Sequence, residues 1–196
     1  MKPTQVRCWS TQNPLYIKYH DEEWGTPIHD DRKLFELLTL EGFQAGLTWE
    51  LILKRRTALR EAFADFDPEK VAKYTVTQIQ ETLTKPQVIR NKAKIHSTVS
   101  NAQRFLEIQS ELGSFDKFIW QFVNGKPIDH KLKSMTEMPA ETEESRAMSK
   151  ELKKRGFKFV GPKICYAFMQ AVGMVNDHLT SCFRYMQINR ENTATT

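Results

Sequence analysis

The sequence predicts an all-α protein, and two observations carry that prediction. Strand signals, short runs alternating apolar and polar residues between turn formers, are nearly absent from the 196 residues. Apolar residues recur instead at three- and four-residue spacing. The clearest case is residues 88–112, where Val88, Ile95, Val99, Ala102, Phe105 or Leu106, and Leu112 make one buried stripe.

Taken in order, residues 1–30 are aromatic and irregular. Cys8, Trp9, Tyr16, Tyr19, His20 and Trp24 are punctuated by Pro14, Gly25 and Pro27, so no long helix fits. An arm this aromatic is tied to a body rather than disordered. Asp30 or Asp31 caps a helix that starts near Arg32. That helix runs into residues 34–49, LFELLTLEGFQAGLTW, where Leu34, Phe35, Leu37 and Leu38 give an apolar face. Residues 49–63 read as a second helix with Leu51, Ile52, Leu59, Ala62 and Phe63 on its apolar side, and the interrupting Lys54-Arg55-Arg56 reads as a solvated face. Asp67-Pro68 opens a short helix by capping and a first-turn proline. Thr75 or Thr77 opens another that ends before Pro86. Gly113 stops the 88–112 helix, and Ser114 caps the next, 115–123, closed by Asn124-Gly125. Residues 126–144 hold few apolar residues and two prolines and read as a long surface loop. Residues 145–155 are helical up to Gly156, and a last helix runs from about Pro162 to Val172 before Gly173.

The chain is long enough for one unit with a sizeable core, residues 1–196, or for two small helical lobes. Hydrophobic content of 40% and charged content of 27% are ordinary for a globular protein. No 18-residue apolar stretch exists, so no membrane span is expected, and the N-terminus lacks a signal peptide's apolar segment. The expected location is the cytoplasm. Three cysteines, far apart and odd in number, do not make a disulfide framework, which leaves metal binding or burial. A net charge of +5 favours a polyanionic partner.

Three places carry chemistry. Glu41 falls among Leu38, Leu40 and Phe43, where a carboxylate must find donors or take up a proton. Gly42 and Gly46 loosen the backbone beside it, and Trp49 supplies a flat ring. The group suits a pocket for a flat, polar-edged ligand, although a helix end with a solvated Glu fits the run as well. The second place is the hairpin FKFVGP between the last two helices. Lys150, Lys153, Lys154, Arg155, Lys158 and Lys163 put six basic residues into fourteen there. Helix N-terminal amides bind phosphate and lysines add sequence-independent attraction, which favours a phosphate site over an ordinary helical hairpin. The third is His178 and Cys182, four apart and on one face if helical. Cys8 and His20 could complete a closed set of two sulfurs and two imidazoles, the pattern of a structural zinc. By spacing alone, two lone cysteines and two lone histidines fit better. Cys165 belongs to the core beside Ile164 and Tyr166, and His29, His96 and His130 look like surface positions.

Together these stretches resemble the 3-methyladenine DNA glycosylase I family of bacterial repair enzymes. The resemblance lies in a shortened RCxW at Arg7–Trp9, NPLYIKYHDEEWG at residues 13–25, LFELLTLEGFQAGLTW, FVNGKP at residues 122–127, KKRGFKFVGPKICYAFMQAVG at residues 153–173, and VNDH at residues 175–178. It runs from Arg7 to Cys182 with the motifs in one order. One residue is missing between Cys8 and Trp9, and the tail after Cys182 lacks a second nearby cysteine.

The resemblance implies a helix-hairpin-helix glycosylase fold with a zinc clip joining the N- and C-termini. It implies one structural zinc ion on Cys8, His20, His178 and Cys182. It implies a base pocket of Glu41, Tyr19 and Trp49 with Trp9 as a wall, lying in a single domain or between two lobes. Glu41 is then also the candidate catalytic residue. Gly46-Leu47 would enter the gap left by an extruded nucleotide, and Lys158, Gly161 and Lys163 would meet the DNA backbone. The implied activity is base-excision repair by a monomer on double-stranded DNA. The N-glycosidic bond of 3-methyladenine is hydrolysed after nucleotide flipping, without lyase activity, and the free base is released. Methylation at N3 leaves the ring cationic and already a good leaving group, so little proton donation is required. Unstacking costs about a few kcal/mol. Glu41 can accept from the exocyclic amine, and Tyr19 and Trp49 can stack on the cationic ring. The related superfamily drives catalysis with an aspartate after the hairpin, but the resemblance assigns no role to Asp177. A non-catalytic zinc-containing DNA-binding module would explain the hairpin and clip but not Glu41. A zinc hydrolase would need an open coordination position that four protein ligands do not leave.

Overall fold

Helix starts are set by side chains that take up otherwise free amides. In the computed structural model, which describes residues 6–194 and the side chains up to Arg190, Asn13 accepts from the Leu15 amide to open α1, Pro14–Glu22. Asp30 opens α2, Asp31–Gln44, and Thr48 opens α3, Trp49–Ala62. Asp67 opens α4, Pro68–Val71, and Thr75 forms a capping box for α5, Val76–Thr84. Asn91 opens α6, Lys92–Leu112; Ser114 opens α7, Phe115–Trp120; Thr142 opens α8, Glu143–Lys154. α9, Pro162–Ala171, begins at Gly161 with no side-chain cap, and α10, Phe183–Ala194, closes the described chain. The ends of the 1–196 unit, residues 1–5 and 195–196, lie outside the described residues, as does part of the segment searched for a leader. No helix among the described residues is long and apolar enough to cross a membrane.

α2 sits at the centre and packs against α3, α6, α7 and α9. Every residue from Leu34 to Phe43 is buried, so this helix is enclosed on all sides rather than amphipathic. Enclosure creates debts that the rest of the chain settles. The Glu36 carboxylate accepts from Arg56 Nε at 2.7 Å and Arg60 Nε at 2.7 Å, while Arg56 also reaches Glu23 at 2.6 Å. Burial alone would raise the Glu36 carboxyl, but the Arg60 and Arg56 guanidiniums hold it below its usual range. The basic triplet is therefore not a solvated face throughout: Arg56 turns inward to pair with α2.

Lys94, buried on α6, donates from Nζ to the carbonyls of Phe43 at 2.7 Å and Ala45 at 2.6 Å, capping the C-terminus of α2. Two turns further along α6, the Asn101 amide pairs with both backbone groups of Lys158, at 3.0 and 2.8 Å. One helix thus holds the α2–α3 turn and the α8–α9 hairpin. Gly42 is helical, not loose. A Cβ there would stand 3.3 Å from the Phe159 Cβ, so its absence admits the hairpin against α2.

Four further points depart from the sequence reading. Residues 14–22 form α1, in an arm read as irregular. The 126–144 segment contributes β1, Ile128–Asp129, which pairs in parallel with β2, Val175–Asn176. α10 follows Cys182, whereas residues 179–182 form a turn, so His178 and Cys182 do not share a helix face. His130 is only partly exposed, its Nδ1 2.6 Å from Asp177 Oδ1.

Candidate functional site

The arm and α2 bring the sequence-predicted pocket residues together. Trp9, Tyr19, Glu41 and Trp49 line one cavity of about 160 Å³, open on one side. A cavity of about 150 Å³ is enough to enclose a benzene ring, so this one admits part or all of a flat heterocycle, with any attached group left at its open side. Tyr16, Trp24, Gln44, Met138, Ala167 and Gln170 complete the lining, and the sequence reading missed all of them as pocket residues. Tyr16 could have been found: it precedes Tyr19 by one helical turn on α1. Met138 comes from the long loop and Gln170 from α9, and nothing local in their sequence points to a pocket.

The walls are aromatic. Tyr19 and Trp49 have ring centroids 5.3 Å apart, and Trp9 lies 4.6 Å from Trp24 and 5.0 Å from Tyr16. Ring faces present negative charge density, so an enclosure of this kind attracts a cation. Glu41 adds the one carboxyl of the lining. It is 4% exposed, and its Oε2 has no hydrogen-bond partner among the described residues. Burial pushes its carboxyl up to about 8. The Trp49 Nε1 donor is likewise buried without a partner. Buried polar atoms normally pair, and an acceptor and a donor left open in one cavity mark where a ligand's polar edge would go.

A second hollow, about 450 Å³, lies between α1, α2 and α3, where Glu23, Glu36, Arg56 and Arg60 pair with one another.

Cys8, His20, His178 and Cys182 meet in a buried group whose ligand atoms all lie within 4.8 Å of one another. Cys8 Sγ is 3.4 Å from His178 Nδ1, and Cys182 Sγ is 3.6 Å from both His20 Nε2 and His178 Nδ1. For a tetrahedral ion with metal–sulfur and metal–nitrogen bonds of about 2.3 and 2.05 Å, the sulfur–nitrogen edge is about 3.5 Å. The spacing therefore fits a bound metal ion. So do the surroundings: His178 Nε2 donates to the Trp24 carbonyl at 2.9 Å, and His20 Nδ1 lies 2.8 Å from Asp21 Oδ1, itself held by Arg7. Each imidazole is thus turned with its other nitrogen toward the group. The Cys8 side chain pulls the Cys182 thiol below its usual range, while the same contact and burial push the Cys8 thiol up. A dication bound there would accept both sulfurs as thiolates.

The hairpin spans residues 155–161. Phe157 and Val160 are its buried anchors, and the Val160 carbonyl accepts from Ser149 Oγ at 2.6 Å. Lys158 and Lys163 are exposed, and their ammonium groups make no ion pair among the described residues. Gly161 precedes α9, whose first amides no side chain caps. Arg155 departs from the expected basic surface, because Glu111 and Glu151 pair with it and its guanidinium lies over Phe118. At the α2–α3 turn, Gly46 is exposed with a left-handed φ of 77°, while Leu47 is half-buried.

A family model described as methyladenine glycosylase matches residues 9–185. The DNA-3-methyladenine glycosylase of Haemophilus influenzae is 48% identical over 178 residues, 90% of this chain and 96% of that protein. DNA-3-methyladenine glycosylase 1 of Escherichia coli is 47% identical over 180 residues, 91% of this chain and 96% of its own. The 3-methyladenine DNA glycosylase I of Staphylococcus aureus, solved to show how it recognises 3-methyladenine, superposes with a TM-score of 0.88 at 41% identity, covering 90% of this chain and 94% of that one.

Proposed function

The chain belongs to the methyladenine glycosylase family and is a glycosidic-bond hydrolase of DNA repair; from that premise we propose that it frees 3-methyladenine from alkylated duplex DNA by extruding the damaged nucleotide into the aromatic cavity. The observation that carries this reading is Glu41, a buried carboxyl without a protein partner inside a cation-attracting enclosure. A base alkylated at N3 is cationic and carries an exocyclic amine. It supplies both the charge that keeps Glu41 ionised and the donor that its open oxygen lacks. Neutral adenine supplies only the donor.

Hydrolysis then asks little of the protein. The electron pair of the bond to C1′ goes to the ring and cancels its positive charge, and water adds at C1′ and loses a proton. Tyr19, Trp49 and Trp9 hold the ring, and Glu41 holds its edge and stabilises the cation up to the point of cleavage. No lysine lines the cavity, so no amine stands ready to form a covalent adduct with the sugar, which supports a glycosylase without lyase activity. Gly46-Leu47 fills the gap left in the stack. The hairpin, through Lys158, Lys163 and the amides after Gly161, holds a phosphate. A single zinc on Cys8, His20, His178 and Cys182 supplies no chemistry here; it ties the aromatic arm to the C-terminal segment. We read the chain as one such unit acting as a monomer.

The test is base release from methylated DNA by wild type beside Glu41→Gln. The substitution keeps shape but removes the charge-assisted acceptor, at a cost of about 1.5–3 kcal/mol, or roughly one to two decades in rate. Unchanged release by a folded Glu41→Gln protein removes Glu41 from the site.

A further inference from the structure

Gln170 reaches the cavity from α9, one turn beyond Ala167. Its amide is not free to turn. Nε2 donates to Asp177 Oδ2 at 2.7 Å and lies 3.2 Å from the Met138 sulfur. Asp177 is buried and fully engaged: the Tyr166 hydroxyl donates to Oδ2 at 2.5 Å, and His130 Nδ1 meets Oδ1 at 2.6 Å. An ionised carboxylate only accepts, so the amide nitrogen must face Asp177 and the carbonyl oxygen must point away from it. That oxygen accepts no hydrogen bond from the described residues, although its residue lines the cavity.

We propose that Gln170 Oε1 is a second fixed acceptor for the extruded base, taking the exocyclic N–H that Glu41 leaves, and that Asp177 is the positioning residue that orients it. The inference rests on the base-pocket reading above and adds a specificity determinant to it. A 6-amino purine brings two N–H groups to two acceptors. A 6-oxo purine brings an oxygen to the same pair; a carboxyl such as Glu41 can take up a proton and donate to it, but the contact with the Gln170 carbonyl becomes repulsive. Rejection of the oxo base thus requires that the amide not rotate, because a free amide would simply present its nitrogen. The buried Asp177 carboxylate, with three donors converging on it, prevents that rotation. Besides Glu41, no other polar group of the lining is a fixed acceptor: the tyrosine hydroxyls rotate between donating and accepting, the indoles only donate, and no partner fixes the Gln44 amide among the described residues.

The experiment is release of 3-methyladenine and 3-methylguanine from the same methylated duplex, scored as the ratio of kcat/KM. Gln170→Leu keeps the bulk and should lower 3-methyladenine release about tenfold, the loss of one hydrogen bond, while raising 3-methylguanine release, because the contact that repels its oxygen is gone. Asp177→Asn introduces a donor that turns the amide round, and should lower the ratio below that of Gln170→Leu. In the Gln170→Leu background the same change should leave the ratio where it was, because the group it acts through is gone. A wild-type ratio in folded Gln170→Leu overturns the proposal. So does an Asp177→Asn effect of equal size in both backgrounds, the signature of a merely structural role. If Asp177→Asn does not fold, Gln170→Leu alone decides. Wild type that releases neither base sinks the base-pocket reading itself, which separates that failure from this one.

Discussion

Glu41 holds its proton in the folded protein to a pH of about 8, because burial penalises its charge. In the unfolded chain the same carboxyl ionises near pH 4.3. Between those values the native state binds a proton the unfolded state has lost, so stability falls as pH rises. The unfolding free energy of wild type should therefore decline relative to Glu41→Gln from about pH 5 to about pH 8, by at most about 1.4 kcal/mol per pH unit, and level off above that. Denaturant titrations of the two proteins across that range check it, and a pH-independent difference would show that Glu41 is solvated or paired. This residue was legible in the sequence because a carboxylate among leucines and phenylalanines needs a reason. Trp49 stood out in the same stretch, whereas Tyr19 came only from the family resemblance. Gln170 and Met138 were not legible, because what places them in the cavity is the meeting of α9 and a loop with α2, and neither residue is out of keeping with its own segment.

At the scale of elements, the hairpin was readable from its breakers, since Gly156 and Pro162 bound it on both sides. What holds it was not, because Asn101 lies 57 residues away from Lys158. Backbone fixation by Asn101 leaves the Lys158 side chain free for a partner. Lys158→Ala should accordingly weaken duplex binding equally for all sequences and reduce the slope of log affinity against log salt by roughly 1, the signature of one phosphate. Binding isotherms at several salt concentrations read this directly, and an unchanged slope refutes the contact. The missed elements share a cause. β1 and β2 have two residues each, too few to show a period, and α10 carries only Phe183, Tyr185, Met186 and Ile188 as large apolar residues before a polar run. Tertiary pairing, through the Ile128 amide on the Met174 carbonyl and the Phe183 amide on the Val6 carbonyl, is what settles these segments.

For the whole molecule, the all-helical class was plain from periodicity, whereas the closure of the chain on itself was not. His20 and His178 are far apart in sequence; the residue types raised a four-ligand set that spacing did not favour, and the family resemblance favoured it. If the four residues hold a metal, a strong chelator, like Cys182→Ala, should loosen the arm and cost on the order of several kcal/mol, seen as roughly 2–4 °C of melting temperature per kcal/mol. Melting curves with and without chelator, beside a metal analysis of the purified protein, test this; no metal and no shift would leave the four residues as a plain hydrogen-bonded cluster. The same closure has a consequence during synthesis. His20 leaves the ribosome 158 residues before His178, and Cys8 earlier still, which at roughly 5–20 residues per second is a wait of about 8–30 s. Through that interval the arm that carries Trp9, Tyr16 and Tyr19 can pack on α3, through Tyr19 against Trp49, but lacks its C-terminal fastening. A nascent chain is therefore inert toward DNA lesions while it is still being made, and its ring-lined cavity is among the last parts of the enzyme to come into being.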